Sequence, residues 1–208
     1  MRQRQPQRLM QVPDFFAPLQ PGRAFAGLAR RLGGWAAWGP WGVPVGRDHQ
    51  AERGGIALWG FVGTVVLTGL MSASQGLGLS RMSIPFMLGT MVTPDRDRAK
   101  LVGFGMHLVN GWLFALVYAA AFRSWHRATW WLGAGIGLVH GLFVLAAALP
   151  LLPGLHPRMA SEQQGPTPTR QLEPPGFLAL HYGRRTPLVV LLAHLAYGAI
   201  LGTFYRAR

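Results

Sequence analysis

The chain alternates between long apolar stretches and short segments rich in arginine. Four stretches of at least twenty residues contain no Asp, Glu, Lys or Arg. A helix rises about 1.5 Å per residue, so roughly 20 apolar residues cross a hydrocarbon core of about 30 Å. The pattern therefore predicts an all-α membrane protein. Its four transmembrane helices are expected at about residues 55–79, 101–122, 129–152 and 187–205.

Composition supports a membrane location. Apolar residues make up 50% of the chain and charged residues 13%, which is too little polar surface for a soluble domain of 208 residues. A net charge of +13 in a soluble protein would suggest nucleic acid. Here most basic residues lie near the N-terminus or at span edges, where they face lipid headgroups, and no nucleic-acid-binding module accompanies them. The expected partners are membrane lipids and other membrane-protein subunits.

The first 53 residues form an arm rich in Arg, Pro and Trp, separate from the transmembrane domain at residues 54–208. Within the arm, FAGLARRLGGWAAWGPW at 25–41 has apolar residues at Phe25, Leu28, Leu32 and Trp35. This spacing predicts a helix that lies along the membrane interface, on the cytoplasmic side. The alternative is a loosely ordered arm whose tryptophans only touch the membrane.

Basic residues also predict the orientation of the spans. With the N-terminus inside, the cytoplasmic side receives eight basic residues from the arm, two from the turn at 123–127 and two from the C-terminal tail, a total of twelve. The other side receives four from each of two loops, a total of eight. The positive-inside rule therefore predicts that both termini are cytoplasmic.

A weak internal repeat links the second and fourth spans. HLVNGWLFALVY begins at His107 and HLAYGAILGTFY begins at His194, and both fit H-L-x-x-G-x6-Y. A short apolar segment precedes each span, IPFMLGT at 84–90 and PPGFLALHYG at 174–183. The pattern predicts two tandem two-helix repeats, with the short segments interfacial or re-entrant because they cannot cross a bilayer.

Small residues spaced four apart mark the faces on which the helices are expected to pack. In lipid, apolar burial does not drive helices together, and small residues allow close backbone contact instead. The packing positions predicted in this way are Gly111, Gly133, Gly137, Gly141, Gly198 and Gly202.

Three histidines inside the spans, His107, His140 and His194, are the candidate cofactor-binding residues. Ionisable groups in a membrane are costly and are often functional. One hypothesis is a b-type haem held by two imidazoles, oriented by partners such as Asn110 or Tyr197. A second is proton or quinone handling. The alternative is that each imidazole hydrogen-bonds a neighbouring helix and serves only packing.

The remaining polar features do not indicate catalysis. Asp95 and Asp97 alternate with arginines in an exposed segment, where nothing shields an acid pair from water. The proline-rich stretch at 156–176 is expected to be an extended, solvated connector. With no cysteine, the chain has no disulfides, thiolate metal sites or cysteine nucleophile. No catalytic residue or metal ligand set is predicted, and the chain is not expected to be an enzyme.

The spans GTVVLTGLMSASQGLGL, GFGMHLVNGWLFALVYAAAF and LGAGIGLVHGLFVLAAALP resemble small uncharacterised bacterial four-span membrane proteins. The resemblance covers residues 54–208 and implies a multi-pass protein of the bacterial inner membrane. Of the functions considered, a non-catalytic accessory or assembly subunit of a larger membrane complex is the preferred expectation. The alternatives are a haem-bearing or quinone- or proton-handling protein, or a small transporter.

Overall fold

The computed structural model describes residues 47–161, 165–170 and 172–205, with side chains from residue 55 onward. The chain divides into two units, Met1–Gln50 and Ala51–Arg208. The interfacial segment predicted at 25–41, and the arm as far as residue 46, lie outside the described residues.

The described part of the chain is helical, apart from its loops and two isolated β-bridges. Its helices, in chain order, are α1 (Arg47–Gly76), α2 (Ile84–Val92), α3 (Arg96–Ser124), α4 (Trp130–Phe143), α5 (Leu149–Leu155) and α6 (Thr186–Phe204). A π-helical segment, Val144–Ala148, joins α4 to α5, and a 3₁₀ segment, Phe177–Tyr182, precedes α6.

Four helical stretches are long and apolar enough to cross a membrane, which confirms the predicted all-α, four-span fold. We call them the first to fourth spans; they run over Gly55–Gly76, Arg96–Ser124, Trp130–Leu155 and Thr186–Phe204. Their outward faces carry exposed apolar side chains such as Leu101 and Val139, which suit contact with lipid.

Two spans are longer than predicted, for local reasons. The second begins at Arg96 because the Asp95 carboxylate accepts hydrogen bonds from the backbone N–H groups of Asp97 and Arg98, at 3.1 and 2.8 Å. The third continues through Pro150 to Leu155 because it changes to π-helix just before that proline. A π turn shifts the hydrogen-bond register, which accommodates a residue without an N–H.

The third and fourth spans touch through their backbones. A Cβ added at Gly133 would overlap the carbonyl of Gly198, and a Cβ added at Gly198 would overlap the carbonyl of Gly133. Gly137 lies in the same way against the carbonyl of His194, and Gly202 against that of Thr129. Only glycine permits this approach, which brings the side chains that flank the contact into the interior of the bundle.

Helix α2 folds back onto the start of the second span. Gly89 lies against the carbonyl of Ala99, and Gly103 lies against the carbonyl of Pro85. In contrast, the segment before the fourth span is a short 3₁₀ turn in which Leu178 and Ala179 have φ angles of 51° and 60°. The two segments that the predicted repeat equates therefore differ in conformation.

The stretch expected to be a solvated connector is instead partly folded onto the helices. Met159 is only 1% exposed, and it forms an isolated parallel β-bridge with Leu172. The backbone N–H of Ala160 donates to Leu172, and that of Leu172 donates to Arg158, both at 3.0 Å. Composition alone suggested an extended loop because it does not reveal these long-range backbone pairs.

Candidate functional site

A cavity of about 210 Å³ lies inside the bundle and brings the three predicted histidines together. Residues from all four spans and from α2 line it, and most of them are apolar. His107 enters from the second span, His140 from the third and His194 from the fourth. This convergence depends on the glycine contact between the third and fourth spans, because His140 and His194 flank it.

The rings of His140 and His194 meet edge to face, with their centroids 4.7 Å apart and their planes at 83°. The ring of Phe114 also stacks on His140, at a centroid distance of 3.7 Å. His140 is thus held in one orientation by rings from two other spans, which leaves its nitrogens little freedom to turn.

His194 is oriented by its own helix. It is 6% exposed, and its Nδ1–H donates to the carbonyl of Val190 at 2.8 Å. A neutral imidazole with the proton on Nδ1 carries a lone pair on Nε2. A charged imidazole would be costly at this depth, so His194 presents a hydrogen-bond acceptor.

His140 has the opposite tautomer. Its Nδ1 lies 3.4 Å from the hydroxyl of Tyr118, which is 1% exposed and needs an acceptor for its hydrogen. Tyr118 therefore donates to Nδ1, and the proton of the neutral ring sits on Nε2. His140 presents a donor where His194 presents an acceptor.

His107 and Asn110 contribute polar groups that no other described residue pairs with. Nε2 of His107 is buried and has no hydrogen-bond partner among the described residues. Asn110 lies one turn further along the second span, lines the same cavity and is exposed. Its amide makes no side-chain hydrogen bond within the part of the chain that the structure describes. Since buried polar groups are normally satisfied, a free nitrogen at a cavity indicates a place for a ligand.

The orienting partners differ from those expected. Tyr197 does not hold a histidine, because its hydroxyl donates to the carbonyl of Gly111 at 2.5 Å. The groups that orient the rings are Tyr118 and the carbonyl of Val190. Tyr118 is the tyrosine that ends the first copy of the repeated H-L-x-x-G-x6-Y pattern, so the repeat could have marked it as a candidate site residue. The carbonyl of Val190 has no signal in the sequence beyond its place one turn before His194.

The remaining packing glycines lie beside the site. A Cβ on Gly111 would overlap the hydroxyl of Thr64 in the first span, and a Cβ on Gly141 would lie 3.2 Å from Cβ of His194.

Among the described residues no group of three or more His, Asp or Glu side chains has metal-binding geometry. The cavity lies below the roughly 300 to 1,000 Å³ of sites for drug-sized ligands, and a haem macrocycle does not fit its present volume.

Three polar residues that do not line the cavity, Asp95, Asp97 and Tyr182, make local structural contacts. Asp95 caps α3, and Asp97 pairs with Lys100 at 3.1 Å, so these carboxylates do not form an acid pair. The hydroxyl of Tyr182 donates to the carbonyl of Glu173 at 2.5 Å, and burial raises the pKa of Tyr182 to about 12. This tyrosine therefore stays protonated and keeps its hydrogen bond.

His156, which the sequence did not single out, joins the long loop to α2. Its Nε2–H donates to the carbonyl of Met87 at 2.9 Å, and its Nδ1 accepts from the backbone N–H of Arg158 at 3.0 Å. The Arg158 guanidinium donates to the carbonyl of Thr90 at 2.6 Å, near the end of α2. Burial lowers the pKa of His156, which favours the neutral ring that these two bonds require.

Comparison of the chain with protein-family models, with curated proteins and with solved structures gives no match. The fold and the geometry of the site therefore carry the functional argument. The four apolar helices fit a polytopic protein embedded in a membrane.

Proposed function

We propose that this chain is a multi-pass protein of the bacterial inner membrane that binds a small, mainly apolar molecule in the cavity at His107, His140 and His194. The observation that carries the proposal is that Nε2 of His107, beside this cavity, is buried and has no partner in the described part of the chain. An unsatisfied buried group costs free energy, and a bound molecule that hydrogen-bonds to it would offset that cost.

The molecule enters from the bilayer in this proposal. Asn110 and Phe143 line the cavity and are also exposed on the membrane side of the second and third spans; the Phe143 side chain is 52% exposed. A ligand dissolved in lipid would reach the cavity between them without crossing water. Both chain ends lie in the cytoplasm in this proposal, supported by the excess of basic residues on that side.

Binding, and not catalysis, is the proposed role. The hydroxyl-bearing residues that line the cavity are Thr64 and Tyr197. Thr64 donates to the carbonyl of Gly60 at 2.7 Å, and Tyr197 donates to the carbonyl of Gly111. Neither hydroxyl is paired with a histidine as an activated nucleophile would be.

Extraction of the purified protein tests the proposal. Lipid-soluble molecules that remain bound in mild detergent are extracted and identified by mass spectrometry. Ala148 lines the cavity, so Ala148→Leu should fill it and remove the molecule. Ala146 is two residues away and exposed, so Ala146→Leu is the matched control and should retain the molecule. Equal extracts from wild type and Ala148→Leu would refute ligand binding in this cavity.

A second proposed role, compatible with the first, is an accessory or assembly subunit of a larger membrane complex. The observation that favours it is a set of outward-facing glycines. A Cβ added at Gly69, Gly105 or Gly135 would meet no atom of the described residues within 4 Å, so packing within that part of the chain does not require these glycines. Glycine weakens a helix relative to alanine, and contact with a helix of another subunit would explain these positions.

Because the chain has no native cysteine, Gly105→Cys can be cross-linked directly in native membranes. A specific adduct at Gly105→Cys, absent with the control Ser124→Cys at the exposed C-terminal end of α3, would support the subunit role. Monomer at both positions would count against it.

A further inference from the structure

The size of the cavity limits its occupant to one ring. A cavity of about 150 Å³ in another protein holds benzene, and this one measures about 210 Å³. A single six-membered ring with a few substituents therefore fits. A longer apolar tail would have to leave the cavity, and the exposed side chains of Asn110 and Phe143 mark where it would reach the lipid.

The apolar wall of the cavity suits an aromatic ring. Three buried methionines line it, Met71 from the first span, Met82 from the connecting loop and Met87 from α2, with exposed fractions of 3%, 0% and 4%. Phe114 and Phe143 lie in the same lining. Thioethers make favourable contacts with aromatic rings, and their flexible side chains adapt to substituents.

The polar groups suit a hydroxyl on that ring. His140 presents an Nε2–H donor and His194 an Nε2 acceptor, and the two rings are adjacent. A hydroxyl both accepts and donates, so it can satisfy both nitrogens. A carbonyl only accepts and would leave His194 unpaired. No described Asp, Glu, Lys or Arg lines the cavity, so the occupant is neutral.

From these three constraints we infer that the cavity binds the ring of a lipid-soluble quinol, in preference to the corresponding quinone. The inference rests on the ligand-binding role proposed above and names its ligand class. One ring hydroxyl lies between His140 and His194, and the second hydroxyl or a ring substituent faces His107 and Asn110. The alkyl tail extends into the bilayer.

The test compares four probes with the same tail on full-length protein in mild detergent, by isothermal titration calorimetry under anaerobic conditions. They are decyl-benzoquinol, decyl-benzoquinone, the dimethyl ether of decyl-benzoquinol, and decylbenzene. We expect the quinol to bind at least about tenfold more tightly than the other three, because only it satisfies both donor and acceptor.

Two variants assign the preference to the histidine pair. His140→Phe keeps a ring against Phe114 but removes the Nε2–H donor. Its preference for quinol over decylbenzene, which has no oxygen to accept from that donor, should therefore fall several-fold, while its preference for quinol over the ether, which depends on the acceptor of His194, should remain. Val139→Phe adds a ring to the lipid-facing side of the same helix, where Val139 is 66% exposed, and should leave both preferences unchanged. If His140→Phe does not fold, the four probes on the wild-type protein still decide the inference.

The outcomes separate this inference from the proposed function. Equal binding of all four probes would overturn the quinol inference and leave an apolar ligand site standing. Quinone binding as tight as quinol binding would refute the acceptor role of His194 and with it the inferred preference. No binding of any probe would overturn both the inference and the proposed function.

Discussion

The Nε2–H of His140 and the Nε2 lone pair of His194 belong to rings whose centroids lie 4.7 Å apart. The two imidazoles thus have opposite hydrogen-bonding roles. Tyr118 donates to His140, which leaves His140 with an Nε2–H donor, and the carbonyl of Val190 accepts from His194, which leaves His194 with an Nε2 acceptor. The pair forms a two-point polar site in an otherwise apolar cavity.

Replacing His107 separates a functional from a structural role. His107→Leu removes a buried nitrogen that has no partner among the described residues, so the empty protein should gain about 1 kcal/mol in free energy of unfolding. Ligand binding should weaken at the same time. Thermal unfolding in detergent measures the first effect. Destabilisation by His107→Leu would show that the imidazole is needed for packing.

The glycine contact between the third and fourth spans should tolerate no methyl group. Gly137→Ala places a Cβ against the carbonyl of His194 and should cost about 1 to 3 kcal/mol, because the spans must separate. Gly135→Ala on the outward face has open space and should leave stability unchanged or slightly higher. Equal midpoints of thermal unfolding for Gly137→Ala and Gly135→Ala would mean that this backbone contact is absent in the folded protein.

The contact that His156 makes between the long loop at 156–176 and α2 should weaken in acid. Burial lowers the pKa of His156 in the folded protein, so its contribution to stability is present above the unfolded pKa of about 6.5 and is lost as pH falls below it. A proton on Nδ1 also removes the acceptor for the N–H of Arg158. The midpoint of thermal unfolding should fall on acidification, and the fall should be smaller in His156→Gln. An identical pH profile in both proteins would contradict this origin.

Cysteine labelling tests the predicted orientation, because the chain contains no native cysteine. Thr169→Cys lies in the exposed loop before the fourth span, and Ser124→Cys lies at the exposed C-terminal end of the second span. A membrane-impermeant maleimide added to spheroplasts should label Thr169→Cys at once and Ser124→Cys only after lysis. The reverse pattern would place both termini outside the cytoplasm.

Much of the fold could be predicted because it depends on local composition. The four spans are set by uninterrupted apolar length, which is a property of each segment alone. Their ends were less predictable, since Asp95 extends the second span by capping it and the π-helical segment carries the third beyond Pro150. Caps and register shifts depend on a few atoms and are averaged out in a hydropathy pattern.

The sequence by itself determined that this protein has four membrane-crossing helices, which of them carry histidine, and which carry glycine at intervals of four. Only the tertiary structure decided that the three histidines line one cavity and that Tyr118 and the carbonyl of Val190 give two of them opposite tautomers. It also decided that Nε2 of His107 is buried without a partner among the described residues. The physical reason is the distance along the chain over which each property is determined. Hydropathy and helix length are properties of neighbouring residues, whereas a tautomer depends on hydrogen-bond partners within about 3 Å. Partners that are more than one helix turn apart in the sequence come this close only through tertiary packing.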